Sequence, residues 1–573
     1  MKKLFTLVLL ILITNFASRA QAFDQKMADS LLKINGELYF SFRYFDREEL
    51  DFLTNIISLE KVSGNEVYAF ANRKEFAKFS KLGYDVKILT PPGSLLGNKD
   101  LMKPEGIVSS YGPAAWNFYP TYQQYVDTMH YFSTAYPSFC KLDTIGTTTE
   151  GRLLLAVRIS RNVHVNEAKP RFLYTSSIHG NETTGYVGML HLIDYLLTNY
   201  GTIPQVTRLV DSVEIFINPL ANPDGTYHGG NNTLNGSTRD NANGVDLNRN
   251  YPDPGYGPHP DGNAWQPETV AFMNYADAMG FSMSANFHGG SEVFNYPWDT
   301  WPRLTADNSW WYFVGREFAD TIHKYGPAGY FTDMQNGVTD GYAWYSVHGG
   351  RQDYMNYFHA CREVTIELST AYVLPASQLV SYFNYDYHSY LNFIEQALYG
   401  IHGVITDTAT GLPLYAKISV VGHDMDSSVV YSRMPTGFYD RLIDQGNWFL
   451  SFSKPGYYTK TVNGISVSRY KGVKLDVQLK SIYYGTDELS RGELTVYPVP
   501  ASKDVHIVFP ETDSRKWKLE VVNMIGVCIY SAEIINSGKL VHNLDVSSYP
   551  AGMYFIRLSN ENGIYRKQVV VRH

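Results

Sequence analysis

The chain has 573 residues, more than one hydrophobic core accommodates; at about 100–200 residues per domain it divides into three or four domains. Hydrophobic residues make up 44%, charged residues 18%, and the formal net charge is −8, a globular balance without the basic excess that nucleic acid or an anionic membrane surface calls for. Cys140, Cys361 and Cys528 are too few for a disulfide scaffold; Cys140 and Cys361 pair only if the fold brings them together, and buried free thiols are the simpler expectation.

Residues 1–22 read as a secretory signal, with Lys2 and Lys3 before the apolar run Leu4–Ile13 and the small-residue site Ala20-Gln21-Ala22. That run is too short to span a bilayer, and no later stretch is long and apolar enough. Residues 23–95 read as a small α+β unit: strands at Glu37–Tyr44, Glu66–Ala71 and Tyr84–Leu89, and helices at Glu48–Ile57 and Lys74–Leu82. After Thr90-Pro91-Pro92-Gly93, residues 96–113 form a linker. Over residues 114–400 strands alternate with helices: Arg171–Ile178, Val213–Ile217, Ser282–Phe287 and Val364–Leu368 are short apolar strands, and Tyr186–Thr198 is an amphipathic helix. This predicts an α/β domain whose mostly parallel mixed sheet is flanked by helices, with its site beyond the strand ends. Short strands and turns over 401–481 predict a small β-sandwich; a polar linker, 482–492, leads to a second β unit at 493–573.

The chemistry gathers at strand ends. His179 and Glu182 follow the strand Arg171–Ile178, and an imidazole and a carboxylate three residues apart can face one zinc ion. With 16 His in the chain, about one chance HxxE is expected, so this pair carries little alone. His288 ends a second strand and Glu367 lies near the end of a third, and the polar run between Glu182 and His288 carries two arginines, Arg239 and Arg249. Two His and one Glu leave a zinc position open for water, a separate carboxylate can act as base, and arginines can bind an oxyanion and a terminal carboxylate.

These motifs resemble, in order, those of the carboxypeptidase A/B/D-type zinc carboxypeptidases over roughly half the chain. HGNETTG resembles the first zinc motif, NPDG and RDNANGVDLNRNYPD the substrate-binding segment, ANFHGGSEVFNYPWD the third-ligand segment, and GYAWYSVHGGRQDY with VTIEL the closing motifs. The resemblance implies one zinc ion held by His179, Glu182 and His288, with Asp246 orienting His179. It implies Glu367 as general base activating the attacking water and Arg239 as oxyanion donor. Asn248, Arg249 and Tyr345 would hold the terminal carboxylate of a peptide or protein substrate.

HGG after the third ligand, Asp299 eleven residues beyond His288, and Gln352 after Gly349-Gly350 are similar to the carboxypeptidase D/N/E branch and imply preference for C-terminal Lys or Arg. Residues 401–481 resemble the transthyretin-like sandwich of that branch. Residues 493–573, with ELTVYPVPASKDVHI, LDVSSYPAGMYFIRL and KQVVV, resemble the C-terminal sorting domain of the type nine secretion system, which implies the secretion machinery as partner and a place outside the cell. The D-type branch usually lacks a unit like 23–95, whereas the A/B-type has an α+β propeptide. An inhibitory pro-segment is preferred over a chaperone or a permanent accessory domain. Two other functions compete: an amidase of the same fold acting on cell-wall or side-chain amides, and a non-catalytic peptide-binding protein. The first is disfavoured by Asn248 and Arg249, the second by Glu367.

Overall fold

The structure is a computed structural model that describes residues 25–94, 115–482, 494–509, 516–535, 541–560 and 563–573. The expected signal segment, the 96–113 linker and all but the first residue of the 482–492 linker lie outside the described residues. Two compact units are present: one comprises the chain up to Thr406 with Leu412–Phe452 and Lys460–Val477, the other Asp407–Gly411, Ser453–Thr459 and Gln478–His573.

Alternating apolar residues build the N-terminal sheet of the first unit. Strands β1 (Glu37–Arg43), β2 (Ser58–Ser63), β3 (Glu66–Asn72) and β4 (Lys87–Ile88) lie in the order β2-β3-β1-β4 with antiparallel pairings. Helices Gln25–Asn35, Arg47–Leu53 and Arg73–Phe79 accompany it, and Phe40, Phe42, Leu50, Leu53, Phe76 and Phe79 share one core. Asp46 caps the second helix by accepting the Glu49 N–H at 3.0 Å. The expectations include neither β2, which has no clean apolar alternation, nor the helix Gln25–Asn35, although its Ala28 and Leu32 stand at helical spacing and are buried; the expected strand Tyr84–Leu89 shrinks to β4.

The main sheet contains β5 (Cys140–Thr147), β6 (Leu153–Ile159), β7 (Arg171–Ser176), β8 (Glu214–Asn218), β9 (Met283–His288), β10 (Glu292–Tyr296), β11 (Val338–Asp340) and β12 (Arg362–Leu368), in the order β11-β10-β12-β9-β7-β8-β6-β5. The central four, β12-β9-β7-β8, run parallel, while β10 joins β12, and β6 joins β8 and β5, antiparallel. One face packs on helices Tyr122–Ala135, Thr184–Asn199, Asn308–Tyr325 and Leu379–Gln396 through Tyr174, Ile217, Phe287 and Ile366; the other meets Pro267–Met279 and Arg351–His359 through Leu173 and Phe216. This is the helix-flanked mixed sheet expected, and its parallel centre aligns the C-terminal ends of β7, β9 and β12 along one rim. Cys140 and Cys361 are buried free thiols.

The same unit carries short strands Gly400–Asp407, Phe438–Arg441 and Gly472–Lys474 in one sheet and Lys417–Val420, Val430–Tyr431, Gly446–Ser453 and Lys460–Val467 in another. A buried ionic cluster fastens it to the α/β part. Asp307 accepts from Arg362 at 2.8 Å, from Arg441 at 3.0 Å and from His423 at 2.9 Å, and Arg441 also reaches Asp424 at 2.6 Å. The second unit is all-β over 494–573: Thr495–Tyr497, Asp504–Val508 and Val541–Asp545 form one sheet, and Lys516–Asn523, Cys528–Ile535, Gly552–Asn560 and Gly563–Val571 the other. Val505, Ile507, Trp517, Leu519 and Ile556 fill its core. No helix of the described residues is long and apolar enough to cross a membrane.

Candidate metal centre and peptide cleft

Past the end of β7 the chain turns sharply at Ser177, which has φ 56° and donates to the Glu182 carbonyl at 2.7 Å, closing the loop that carries His179 and Glu182. Gly180 allows that loop to pack flat: a Cβ there would lie 2.3 Å from the backbone at Gly225 and Thr226. β9 ends in His288, and the parallel register pairs His288 with Glu367 on β12. The topology therefore brings three distant segments to one rim.

His179, Glu182 and His288 are buried, and their ligand atoms lie within 4.8 Å of one another. His179 Nδ1 is 2.8 Å from Glu182 Oε1, His288 Nδ1 is 2.9 Å from Glu182 Oε2, and the two Nδ1 atoms are 3.1 Å apart. Each outer nitrogen has its own acceptor: His179 Nε2 faces Asp246 Oδ1 at 3.1 Å and His288 Nε2 faces Asn286 Oδ1 at 2.5 Å. Neutral imidazoles with protons on both Nε2 atoms would turn both Nδ1 lone pairs toward the same carboxylate, an arrangement suited to a cation between them. Burial holds the His288 pKa down to about 4, so that imidazole is neutral and able to ligate. The donor set, two imidazoles and a carboxylate, fits zinc.

Around these residues a small open cavity is lined by Arg239, Asn248, Arg249, Asn295, Asp299, Tyr345, Thr365 and Glu367, as well as by His179, Glu182 and His288 themselves. Arg239 is 2% exposed and donates through Nε to Asp246 Oδ2 at 3.0 Å; Nη1 lies 3.4 Å from Glu182 Oε1. Burial opposes ionisation of Asp246, but Arg239 and His179 outweigh it and hold the carboxyl well below the usual carboxylate range. Asn248 Oδ1 accepts the Arg351 backbone N–H at 2.9 Å. Glu367 Oε2 finds no hydrogen-bond partner among the described residues; burial, with the nearby Glu182 and Glu60 carboxylates, raises its pKa well above the ordinary value.

Asp299 is 4% exposed and accepts from Asn295 Nδ2 at 3.0 Å. Burial pushes its pKa up to about 7. A Cβ on Gly341 would fall 1.7 Å from Asp299 Oδ1, so a glycine there keeps the carboxylate open to the cavity. Gln352 is not among the residues that line the cavity: it lies in the first turn of the buried helix Arg351–His359, and its Oε1 accepts the N–H of the lining residue Thr365 at 2.7 Å.

The N-terminal sheet enters the same cleft. The Glu60 carboxylate on β2 is ion-paired with Arg239, its carbonyl accepts from Tyr345 Oη at 3.2 Å, and the Leu59 carbonyl accepts from Arg249 Nη2 at 3.1 Å. Glu37 takes the backbone N–H groups of Arg239 and Asp240, both at 3.0 Å. Arg47 donates to the Trp344 carbonyl at 3.1 Å, and Asp51 accepts from Tyr342 Oη at 2.9 Å and Ser346 Oγ at 2.6 Å. Nothing in the sequence marks Glu60, Glu37 and Asp51, since an acidic residue on a small domain gives no sign of which cleft it enters.

Residues 125–389 match the family model described as zinc carboxypeptidase, and residues 495–572 match that of the secretion system C-terminal sorting domain, which marks the chain for export to the cell surface or beyond. The chain is 35% identical to carboxypeptidase D of Anas platyrhynchos over 392 residues, covering 65% of this chain and 27% of that protein. It thus spans about a quarter of the length of the carboxypeptidase D relatives it matches. To carboxypeptidase M of Mus musculus it is 32% identical over 370 residues, covering 60% of this chain and 80% of that one. The solved carboxypeptidase A from Helicoverpa armigera superimposes with a TM-score of 0.51 at 16% identity, over 64% of this chain and 98% of that one, a likeness of fold. Taken with the convergent His179, Glu182 and His288, these matches show that the chain belongs to the zinc carboxypeptidase family.

Proposed function

We propose that the protein is a metallocarboxypeptidase that hydrolyses the C-terminal peptide bond of peptides and proteins outside the cell, with preference for C-terminal Lys or Arg. One observation carries the reading: a single cavity is lined by the His179–Glu182–His288 set, by Glu367, and by Arg239, Asn248, Arg249 and Tyr345. His179, Glu182 and His288 would hold a zinc ion, which would supply Lewis acidity toward a carbonyl and a bound water. Glu367 takes a proton from the attacking water and passes it to the leaving amine; its unpartnered oxygen and raised pKa suit a group that both accepts and returns a proton. Arg239 donates to the developing oxyanion. Arg249, Asn248 and Tyr345 bind the terminal carboxylate, for which a planar guanidinium is well shaped. Asp299, left open by Gly341, pairs with a cationic side chain.

In this reading residues 25–94 are a pro-segment that keeps the enzyme latent. Its strand β2 offers a carboxylate to Arg239 and carbonyls to Arg249 and Tyr345, the three groups a substrate needs. The carboxylate-binding set favours exopeptidase action over an amidase of the same fold. Matched peptides with free and amidated C-termini test this: release confined to the free carboxylate supports the reading, and equal cleavage of the amidated peptide rejects it in favour of the amidase.

A further inference from the structure

Parallel strands covered on both faces are ordinarily apolar on both. β9 and β12 depart from this. On β9, Ser284, Asn286 and His288 alternate with Met283, Ala285 and Phe287; on β12, Glu363, Thr365 and Glu367 alternate with Val364, Ile366 and Leu368. The register sets Ser284 beside Glu363, Asn286 beside Thr365 and His288 beside Glu367, so the polar residues share one face. Ser284, Asn286 and Glu363 are at most 1% exposed, and groups so buried are costly unless their hydrogen bonds are made.

The bonds are made in one direction. Asn286 Nδ2 donates to Glu363 Oε1 and to the Val364 carbonyl, both at 3.1 Å. The remaining Glu363 oxygen accepts from Ser284 Oγ at 2.6 Å and Arg351 Nη2 at 3.1 Å. A carboxylate and a carbonyl both demand donors, so the Asn286 amide cannot turn over, and its carbonyl oxygen must face His288 Nε2. A reversed amide would present N–H to Nε2 and drive the imidazole proton onto Nδ1, where it would block a metal. Arg351 closes the far end, since its backbone N–H holds Asn248 Oδ1.

We infer that Asn286 is a positioning residue for His288, held by Glu363 in the one amide orientation that leaves His288 Nδ1 free for the metal, and that the Glu363–Arg351 pair ties this end of the site to Asn248. The inference rests on His288 being a metal ligand.

The test is the zinc dissociation constant of the full chain by chelator competition, with thermal unfolding of each metal-free variant alongside. Removing an outer partner of a metal-bound imidazole typically weakens binding about 10- to 100-fold, and that loss is expected for Asn286→Ala with the metal-free fold retained. The double variant Asn286→Asp with Glu363→Gln keeps an acceptor on His288 Nε2 and returns a donor from residue 363, although its second oxygen then faces the Val364 carbonyl, and is expected to hold zinc at least about tenfold more tightly than His288→Ala. Affinity of Asn286→Ala within about twofold of wild type, or a double variant that folds yet binds as weakly as His288→Ala, overturns the inference. Should Asn286→Ala fail to fold, the double variant decides alone. Unchanged zinc binding in His288→Ala would instead remove the ligand reading on which the inference rests.

Discussion

Glu60, on a strand of the N-terminal sheet, is ion-paired with Arg239 in the cleft that holds His179, Glu182 and His288, and both are buried in the pair. Asp246 and Glu182 still neutralise Arg239 without Glu60, so this pair ties the N-terminal sheet to the cleft rather than balancing the charge of Arg239. Glu60→Ala should therefore weaken docking of residues 25–94 and raise the activity of the uncleaved chain at least about tenfold on an Arg-ending peptide. The check is the ratio of initial rates before and after limited proteolysis between the N-terminal unit and the catalytic domain. A ratio unchanged from wild type would mean that Glu60 does not hold the enzyme latent.

Much of this site was legible in the sequence, and the reason is local. His179, His288 and Glu367 stand at or just beyond the ends of short apolar strands, and a parallel sheet brings such ends to one rim. Glu60 was not legible: it lies in SLEKVS, with no clean alternation, and its partner is 179 residues away. The place of Gln352 after Gly349-Gly350 predicts a pocket residue, but its Oε1 is engaged by the Thr365 N–H and it is not among the lining residues. Asn286 and Glu363 did carry a signal, polar alternation in strands otherwise apolar, which becomes meaningful only once the register pairs them.

The proposed preference for cationic side chains should depend on pH through Asp299. Burial raises its pKa to about 7, so in the free enzyme the carboxylate is charged above that value and neutral below it. The ratio of kcat/KM for Arg-ending over Phe-ending peptides should fall as pH drops through about 7, because kcat/KM reports the free enzyme. A ratio flat between pH 5 and 9, on the order of two units either side, would exclude Asp299 as the discriminating group.

Gly341→Ala should close the same pocket, because its Cβ would sit 1.7 Å from Asp299 Oδ1. Hydrolysis of Arg-ending peptides should fall by about 100-fold or more in kcat/KM, with zinc binding unchanged. Full activity of this variant on Arg-ending peptides would show that the cationic side chain goes elsewhere.

Asp307 holds Arg441, Arg362 and His423 in a buried cluster that fastens the small β-sandwich to the α/β part. Asp307→Ala should destabilise the folded chain by about 3–5 kcal/mol in denaturant titration. Burial opposes the charge, but Arg441 and Arg362 outweigh it and keep the Asp307 pKa well below its ordinary value. The contribution is thus present above the unfolded carboxyl pKa of about 4 and is lost only as pH falls toward the depressed folded value. A change within about 0.5 kcal/mol would show the cluster to be dispensable.

The most direct test of the whole account is the release of single C-terminal residues by the purified protein, before and after limited proteolysis, with and without a chelator. Peptides ending in Arg, Phe and Glu serve as substrates. The expected result is release of free Arg that rises on proteolysis, stops with the chelator and returns with zinc, whereas Phe- and Glu-ending peptides are cut far more slowly. Absence of any chelator-sensitive release, or cleavage only at internal bonds, would contradict it.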